Sequence, residues 1–304
     1  MEEAVMKKVM VTGGAGFLGG HIADALTLQG YEVVIFDRVS SPWLRESQTM
    51  VVGDICDRQA VSSAVAGCDI VYHLAAEADI GASAKDPRRT IDLNVGGTLN
   101  FLEACVDHGV SRFVFASSIY VYSELGSFYR VSKQACEKLI EEYAREFGLT
   151  FSILRFGSLY GPRANYFNGI HKMIRQALET GTITRQGDEE AVREYIHVRD
   201  AADLCVKILD NAYENSHLII TGPQKTTIRE LMTLIEEIFN HQLEVVYKEG
   251  HDKGHYKLTP YSYAPQSARR ITPDLFYDMG QGILEVIEDI KQNAETERNK
   301  DGQQ

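Results

Sequence analysis

The first half of the chain alternates short apolar runs with segments of helical periodicity. The apolar runs are rich in β-branched residues and read KVMVTG, EVVIFD, MVVGD, DIVYHLAA and RFVFASS, with helical patterns between them at 17–29, 58–66 and 88–108. Nearly continuous apolar strands are typical of a sheet that is covered on both faces. Strands that alternate with helices in this way predict parallel pairing with crossover helices. We therefore expect an α/β fold built on a doubly wound parallel sheet.

The regular alternation weakens after Pro162. A helical pattern at 128–147 and the strand-like LTFSILRFGSLY precede this point, and helical patterns at 169–179 and 228–239 follow it among shorter strands. The segment EYIHVRDAADLCVKIL repeats the strand-then-helix pattern of the first half. We therefore predict two domains. They are a first domain at 1–160, to which 195–212 return, and a smaller mixed α/β C-terminal lobe for the substrate at 161–194 and 213–304.

The overall charge and composition restrict the partners of the chain. Its 304 residues carry a formal net charge of -12 at pH 7, whereas proteins that bind nucleic acid usually present a basic face, so we expect no nucleic-acid partner. No apolar run approaches the length of a membrane span, so we expect no membrane partner and a cytoplasmic location. The five cysteines lack metal-ligand spacing, so we expect a reducing compartment and no metal site.

A glycine-rich segment, TGGAGFLGG, directly follows the first apolar run. Its glycines form the pattern G-x-x-G-x-x-G at the start of a helical segment. Glycines at this place allow backbone N–H groups to approach a pyrophosphate, and the helix N-terminus adds partial positive charge. The position between a strand and a helix predicts a dinucleotide site in a Rossmann-type domain. The expected contacts are Gly13, Gly16, Phe17, Leu18 and Gly19.

The ends of the second and third strands predict which dinucleotide binds. Asp37 ends the run EVVIFD, 18 residues after Gly19, where a carboxylate can accept hydrogen bonds from the adenosine ribose. Its charge repels a 2′-phosphate and favours NAD over NADP, although the neighbouring Arg38 is a residue type that accommodates this phosphate. Asp54 and Ile55 follow the third strand and are expected near the adenine. Helix capping is the alternative role of Asp54.

The segment SSIYVYSELGSFYRVSK carries the residue types of a hydride-transfer site. Tyr129 and Lys133 are four residues apart in a helical pattern and therefore lie on one face. A tyrosine with its usual pKa of about 10 is a poor base at neutral pH, but a nearby ammonium group and an oxidised nicotinamide both favour the phenolate. Tyr129 can then take a proton from a substrate alcohol, while Ser118 hydrogen-bonds the same oxygen. We predict that these three residues are catalytic.

From about residue 8 to residue 209 the chain resembles the extended short-chain dehydrogenase/reductase family, and within it the nucleotide-sugar epimerase and dehydratase branch. The motifs that carry the resemblance are, in family order, TGGAGFLG, HLAAEAD, NVGGT, SSIYVY, YRVSK, RFGSLYGPR and REYIHVRDAA. The resemblance implies NAD as cofactor and a nucleotide sugar as substrate. It also implies a homodimer formed by the helices at 88–108 and 128–147.

The resemblance assigns further residues to the cofactor side of the site. Three residues of the HLAAEAD motif are expected beside NAD: Leu74, Ala75 and Ala76. Lys133 is implied to hold the nicotinamide ribose as well. Asn94 is implied to maintain the active-site geometry, and support of the fold is the alternative role of Asn94 and His73.

On the substrate side, Arg193 matches the position at which family members bind a diphosphate. A guanidinium group suits this role because it makes charge-assisted, often bidentate, bonds to phosphate oxygens. A salt bridge to an acidic side chain is the alternative role of Arg193. Arg269 and Arg270 are candidates for a second phosphate contact. The residues expected to contact the sugar are Ser118, Ile119 and Tyr120.

The residues that follow the catalytic serine separate the reactions of this branch. Family dehydratases carry Asp and Glu there, and decarboxylases tend to carry a Glu, whereas this chain has Ile119 and Tyr120. The difference favours a 4-epimerase, which oxidises C4 to a transient ketone and reduces it from the opposite face. A dehydratase with Tyr120 and Glu124 as rearranged acid and base, or a C4 dehydrogenase that releases the ketone, is the alternative. A non-catalytic dinucleotide sensor is a further alternative, which the retained tyrosine and lysine disfavour.

Overall fold

A computed structural model describes residues 6–248, 255–257 and 269–301 of the chain. Eight parallel strands form its central sheet. In spatial order they are β14 (Arg269–Ile271), β11 (Ser216–Ile220), β6 (Phe151–Phe156), β5 (Arg112–Ser118), β4 (Ile70–His73), β1 (Lys8–Thr12), β2 (Glu32–Asp37) and β3 (Gln48–Val52). The strand order reverses between β1 and β4, so the predicted doubly wound parallel sheet is confirmed.

Helices cover the sheet and build a second lobe beside it. They are α1 (Phe17–Leu28), α2 (Arg58–Val65), α3 (Ile80–Lys85), α4 (Pro87–Ile91), α5 (Gly97–Asp107), α6 (Ser127–Phe147), α7 (Gly169–Thr180), α8 (Val198–Lys207), α9 (Ile228–Ile238) and α10 (Met279–Asp301). Five of these, namely α1, α2, α6, α7 and α9, begin and end within one residue of the predicted helical patterns. Within the described residues, no helix has the length and apolar character needed to cross a bilayer.

Side chains of the central strands alternate between two apolar cores. On β1, Val9 and Val11 belong to a core with residues of α1 and α8, whereas Met10 belongs to a second core with residues of α2, α5 and α6. All three side chains are fully buried. Both faces of the sheet are therefore covered, which explains the nearly unbroken apolar runs in the sequence.

A third core lies in the second lobe. It contains Ile174 of α7, Leu231 of α9 and Ile283 of α10, all fully buried. Short paired strands lie around it: β7 (Ser158–Tyr160) with β10 (Tyr195–His197), β9 (Val192–Arg193) with β12 (Thr226–Thr227), and β8 (Thr182–Gln186) with β13 (Glu244–Lys248). The second lobe therefore mixes helices and short strands.

The central sheet extends beyond the segments that we predicted for the first domain. Strands β11 and β14 continue the sheet past β6, although both lie in the 213–304 range assigned to the substrate lobe. The run SHLII of β11 is mostly apolar, and its Leu218 is fully buried in the core shared with α1 and α8. The boundary at residue 213 therefore does not follow the sheet, because this strand finds its apolar partners in the first domain.

The helix predicted at 88–108 is interrupted. Helix α4 ends at Ile91, a π-helical turn spans Asp92–Gly96, and α5 begins at Gly97. Turns of this kind occur mostly as local insertions in helices, frequently at functional sites. The turn contains Asn94, whose side chain is buried and hydrogen-bonds a residue of α6.

A polar contact joins α1 to the segment that leads into the second lobe. Asp24 on α1 forms a salt bridge with Arg163, with 3.0 Å between Oδ2 and Nη1. The Arg163 guanidinium lies 5.1 Å from the centroid of the Trp43 ring. Nearby on α1, the Nε2 atom of His21 lies 3.1 Å from the carbonyl oxygen of Pro162. The helix that follows the glycine-rich segment is thereby tied to the start of the second lobe.

Candidate active site

The predicted cofactor and catalytic residues meet at one edge of the sheet. The glycine-rich segment follows β1, Asp37 ends β2, residues 74–76 follow β4, and Ser118 ends β5. These four strands are neighbours, and the strand order reverses between β1 and β4. In open α/β sheets such a reversal leaves a crevice at the carboxyl ends of the strands, where ligands bind. The candidate site lies in this crevice.

The glycine-rich segment is packed too closely to accept side chains at its key positions. A Cβ atom on Gly19 would lie 2.2 Å from the carbonyl oxygen of Gly13, and one on Gly13 would lie 2.9 Å from the backbone nitrogen of Ala75. Gly13 also has a φ of +70°, which residues with side chains rarely adopt. The N-cap of α1 is Gly16, which offers no side-chain acceptor to the first N–H groups of the helix. This cradle therefore fits a pyrophosphate group.

Asp37 lies where the adenosine ribose of a dinucleotide in this cradle is expected. Its Oδ2 atom accepts a hydrogen bond of 3.1 Å from the backbone nitrogen of Ala15, inside the glycine-rich segment. The adjacent Arg38 is exposed. The carboxylate is thus fixed beside the cradle, as the predicted preference for NAD requires.

The segment after β3 carries the residues that we predicted near the adenine. Asp54 accepts a hydrogen bond of 2.8 Å from the backbone nitrogen of Cys56, and Asp57 is the residue that caps α2. Capping of α2 is therefore not the role of Asp54, which remains a predicted cofactor contact. Ile55 is buried and packs against Gly97 of α5. A Cβ atom added to Gly97 would lie 2.6 Å from the Ile55 side chain.

His73 belongs to a buried hydrogen-bond chain behind the cofactor crevice. Its Nδ1 atom lies 3.0 Å from the hydroxyl of Thr12, which also accepts the backbone N–H groups of the two residues after His73. Its Nε2 atom lies 3.2 Å from the hydroxyl of Thr98, which donates to the carbonyl of Asn94. Burial lowers the pKa of His73 to about 3, so the ring is neutral. These contacts favour the structural role of His73, since they fix the backbone at Leu74 and the next residue.

Ser118, Tyr129 and Lys133 come together where α6 meets the end of β5. Ser118 lies near enough to the Tyr129 hydroxyl to lower the pKa of the tyrosine. The Lys133 ammonium donates a hydrogen bond of 2.7 Å to the carbonyl of Ala116 and lies 5.9 Å from the centroid of the Tyr129 ring. It also lies 4.6 Å from the centroid of the Phe115 ring. The i, i+4 spacing thus directs both side chains of α6 toward β5.

Burial shifts the pKa values of these two groups in opposite directions. Burial raises the pKa of Tyr129 to about 12, and the hydrogen bond from Ser118 offsets part of this shift. Burial lowers the pKa of Lys133 to about 8, although the nearby Glu137 carboxylate opposes this shift. At pH 7 the pair is therefore a phenol beside an ammonium group. Base catalysis by Tyr129 requires this pair to lose one proton.

Asn94 connects the π-helical turn to both sides of the site. Its Oδ1 atom accepts a hydrogen bond of 2.7 Å from the backbone nitrogen of Glu77, and its Nδ2 atom donates to the carbonyl of the same residue at 3.0 Å. The same Nδ2 group donates to the hydroxyl of Ser132 on α6 at 2.9 Å. Asn94 therefore fixes the segment after β4 against the helix that carries Tyr129 and Lys133.

A buried ion pair lies behind the catalytic strand, and the sequence motifs did not reveal it. Glu137 on α6 and Arg155 on β6 are 2.6 Å apart, and their side chains are only 5% and 10% exposed. Ser117, next to the catalytic serine, donates a hydrogen bond of 2.5 Å to Glu137. Arg155 also donates to the Tyr122 hydroxyl at 2.5 Å. This clamp of four residues ties β5, β6, α6 and the 3₁₀ turn after β5 together.

Arg193 lies in an aromatic cluster on the substrate side. Its guanidinium lies 4.2 Å from the centroid of the Tyr256 ring and donates to the carbonyl of Val192 at 2.8 Å. The rings of Tyr256 and Tyr120 have centroids 5.0 Å apart. The Tyr120 hydroxyl lies 2.5 Å from Nδ1 of His255. Arg193 is thus buried beside aromatic rings, and it forms no salt bridge with an acidic side chain among the described residues.

The remaining predicted substrate residues differ in their surroundings. Ile119 is buried in a small apolar cluster with Ile219 and Tyr256. Glu124 is exposed, and so is His255, the partner of Tyr120. Arg270 donates hydrogen bonds to the side chain of Thr221 and the carbonyl of the following residue, which ties β14 to β11. The side chain of Arg269 lies outside the described part of the chain.

Known proteins are similar to this chain in sequence and in architecture. Residues 9–220 match the model of the NAD dependent epimerase/dehydratase family. A UDP-glucose 4-epimerase of Rhizobium meliloti is 30% identical, over 79% of this chain and 84% of that protein. A dTDP-glucose 4,6-dehydratase of Streptomyces antibioticus is also 30% identical, over 94% of this chain and 92% of that protein. The structure of a Thermotoga maritima UDP-glucose 4-epimerase with UDP-glucose has 26% identity and a TM-score of 0.83, over 94% of this chain and 99% of that one.

The family match covers more than half of the chain. It runs from β1 to the end of β11 and includes the cradle, Asp37, Ser118, Tyr129 and Lys133. The resemblance seen in the sequence motifs is therefore confirmed. The family's cofactor, NAD, is also the dinucleotide that the cradle and Asp37 fit. The chain belongs to the NAD dependent epimerase/dehydratase family and is an NAD-dependent enzyme of that kind.

Proposed function

We propose that this chain is a nucleotide-sugar 4-epimerase. The observation that carries the proposal is the group of Ser118, Tyr129 and Lys133 at the cofactor crevice, combined with Ile119 and Tyr120 where dehydratases carry acids. The 4-epimerase relatives with matching fold and coverage support the same reaction. This set of side chains can remove and return an alcohol proton, which is all that C4 inversion requires of the protein.

In the proposed mechanism, the protein residues hold the sugar and move one proton. Tyr129 removes the proton of the C4 hydroxyl, Ser118 hydrogen-bonds the same oxygen, and Lys133 stabilises the phenolate. When bound, NAD supplies the hydride acceptor and donor. The transient C4 ketone then turns its other face toward the cofactor, and Tyr129 returns the proton. Arg193 binds the diphosphate and keeps the intermediate in the site.

A dehydratase or a C4 dehydrogenase is the second candidate. A 4,6-dehydratase relative is as similar to the chain as the epimerase relative, and Tyr120 has a histidine partner that can act in proton transfer. The oxidation step is shared by all three reactions. They differ only in the fate of the ketone.

The proposal can be tested by incubating the purified protein with NAD and UDP-glucose, UDP-N-acetylglucosamine or UDP-glucuronic acid in turn. We expect proton NMR to show interconversion of C4 epimers of at least one sugar, with no net change in NADH absorbance. A persistent NADH signal with a keto product contradicts the epimerase and supports a dehydrogenase. A deoxy or unsaturated product supports a dehydratase.

The pH dependence of epimerisation follows from the two shifted pKa values. The productive form has a deprotonated Tyr129 and a protonated Lys133. The pKa is about 12 for Tyr129 and about 8 for Lys133, so the population of this form rises about tenfold per pH unit below pH 8. Between pH 8 and pH 12 the population is level, because the gain in deprotonated Tyr129 is balanced by the loss of protonated Lys133. We expect kcat/KM to rise to a plateau near pH 8. In Lys133→Arg, whose guanidinium stays protonated, we expect the rise to continue above pH 8. A decline in kcat/KM between pH 6 and pH 8 would contradict this assignment.

The assembly is proposed from the family resemblance. We propose a cytoplasmic homodimer that pairs through α5 and α6, the helices named from the sequence. Both helices contribute to the core on one face of the sheet, so this pairing would use their outward sides.

A further inference from the structure

The pair formed by Tyr120 and His255 has no role in the proposed epimerase mechanism. The Tyr120 hydroxyl lies 2.5 Å from Nδ1 of His255, and the ring centroids are 6.0 Å apart in an edge-on arrangement. Tyr120 immediately follows the catalytic strand, and its backbone N–H donates to the Ser118 hydroxyl oxygen at 3.3 Å. A phenol and an imidazole at hydrogen-bond distance can exchange a proton, because histidine titrates near neutral pH.

The surrounding residues place this pair on the substrate side of the site. The Tyr120 ring packs against Gly126, at the start of the helix that carries Tyr129, where a Cβ atom would lie 2.7 Å from the tyrosine ring. On its other side, Tyr120 contacts Tyr256, which contacts Arg193. Tyr120 therefore lies between the hydroxyl groups proposed to act at C4 and the guanidinium proposed to bind the diphosphate. The sugar ring of a bound nucleotide sugar would extend along this path.

We propose that Tyr120 and His255 form a second proton-transfer pair, which removes and returns the proton on a carbon next to the C4 ketone. The proposal rests on the C4 oxidation of the proposed function, because the ketone acidifies the hydrogens on C3 and C5. It assigns to this chain a second proton step in which a phenol and an imidazole act instead of the acidic pair of the family dehydratases.

The step balances without any further reactant. The C–H bond next to the ketone breaks, and its electron pair forms the C=C bond of an enolate, whose charge rests on the former carbonyl oxygen. The proton goes to the Tyr120 oxygen as the Tyr120 proton passes to Nδ1 of His255. Reversal of these transfers forms the C–H bond again and restores the ketone. No electron leaves the substrate in this step.

The exposure of His255 gives the step a measurable consequence. Its side chain is exposed, whereas Tyr256 next to it is buried. A protonated imidazole at the surface exchanges its protons with solvent, so a deuteron from D₂O can return along the same path to carbon. A simple 4-epimerase returns its hydride within the site and takes up no carbon-bound deuterium.

The test is turnover in D₂O with NAD and the same three UDP-sugars, followed by proton NMR and mass spectrometry. We expect deuterium at C3 or C5 of the recovered sugar with the unaltered protein. We expect Tyr120→Phe and His255→Gln each to slow this uptake by about 100-fold, in the range typical for loss of an acid/base group. C4 interconversion in the same spectra is expected to fall by much less than deuterium uptake in both variants, since it uses Tyr129.

Matched changes at exposed positions serve as controls. Tyr247→Phe on β13 and His108→Gln after α5 make the same chemical changes at a distance from the crevice, and both are expected to leave deuterium uptake unchanged. Thermal unfolding of each variant checks that it is folded. Absence of deuterium with the unaltered protein overturns the inference, and so does uptake that persists in both pair variants. The C4 signals decide the proposed epimerase separately, because they do not depend on exchange at C3 or C5.

Discussion

Replacement of Tyr129 by phenylalanine is expected to lower kcat for C4 interconversion by about 10³-fold or more. The variant keeps the ring and loses only the hydroxyl beside Ser118. Water is a poor substitute, because Tyr129 is only partly accessible to solvent and the transferred proton needs an acceptor at a fixed distance from C4. The rate is measured by NMR with whichever UDP-sugar the unaltered protein converts.

Binding measurements separate loss of chemistry from loss of structure. NAD and UDP-sugar affinities are expected to change by less than about tenfold in Tyr129→Phe, since the cradle, Asp37 and Arg193 are unaltered. Tyr247→Phe, at an exposed tyrosine on β13, is expected to retain full activity. If Tyr129→Phe kept a rate within tenfold of the unaltered protein, Tyr129 would not be the base.

The largest loss of stability is expected from Glu137→Gln. Glu137 and Arg155 form a buried ion pair at 2.6 Å, and Arg155 makes a second contact with Glu137 at 3.0 Å. The variant leaves the Arg155 charge buried with only neutral partners, which typically costs about 3–5 kcal/mol. Urea unfolding of the apoprotein measures the free energy of unfolding. We expect a lower transition midpoint with little change in slope.

Two further variants identify the cause of this loss. In Glu137→Gln/Arg155→Met both charges are gone, and we expect most of the lost stability to return, because no buried charge lacks a partner. Glu179→Gln is the matched control, because it breaks a salt bridge with Arg175 in which both side chains are more than half exposed. We expect it to change the free energy of unfolding by less than about 1 kcal/mol. A loss below about 1 kcal/mol in Glu137→Gln would mean that water or other groups already solvate this pair.

The parts of the fold that follow from local patterns were predicted well. The strands of the central sheet are continuous apolar runs because both sheet faces are covered, and this pattern is visible in the sequence alone. The cradle at Gly13, Gly16 and Gly19 was also predictable, since close backbone packing requires glycine there. Tyr129 and Lys133 share a helical spacing, so their proximity needed no knowledge of the tertiary structure.

The features that were missed depend on residues far apart in the chain. Tyr120 and His255 are separated by 135 residues, and neither position shows its partner in the sequence. Glu124, which the sequence suggested as the partner of Tyr120, is exposed. The sequence predicts a continuous helix across the π-helical turn around Asn94, because its residues have ordinary helical periodicity. The turn is apparent only in the folded backbone, where Asn94 contacts Glu77 and Ser132.

The stacking of Arg163 on Trp43 also provides an optical reporter. Trp43 is the only tryptophan in the chain, so selectively excited indole fluorescence comes from one known place. That place adjoins the salt bridge from Arg163 to Asp24, where the helix behind the cradle meets the start of the second lobe. If the two lobes moved relative to each other on binding NAD or a nucleotide sugar, the distance between the Arg163 guanidinium and the Trp43 indole would change. The fluorescence emission of Trp43 would change with it. Any movement between the two lobes on ligand binding can therefore be followed in the native protein without an attached dye.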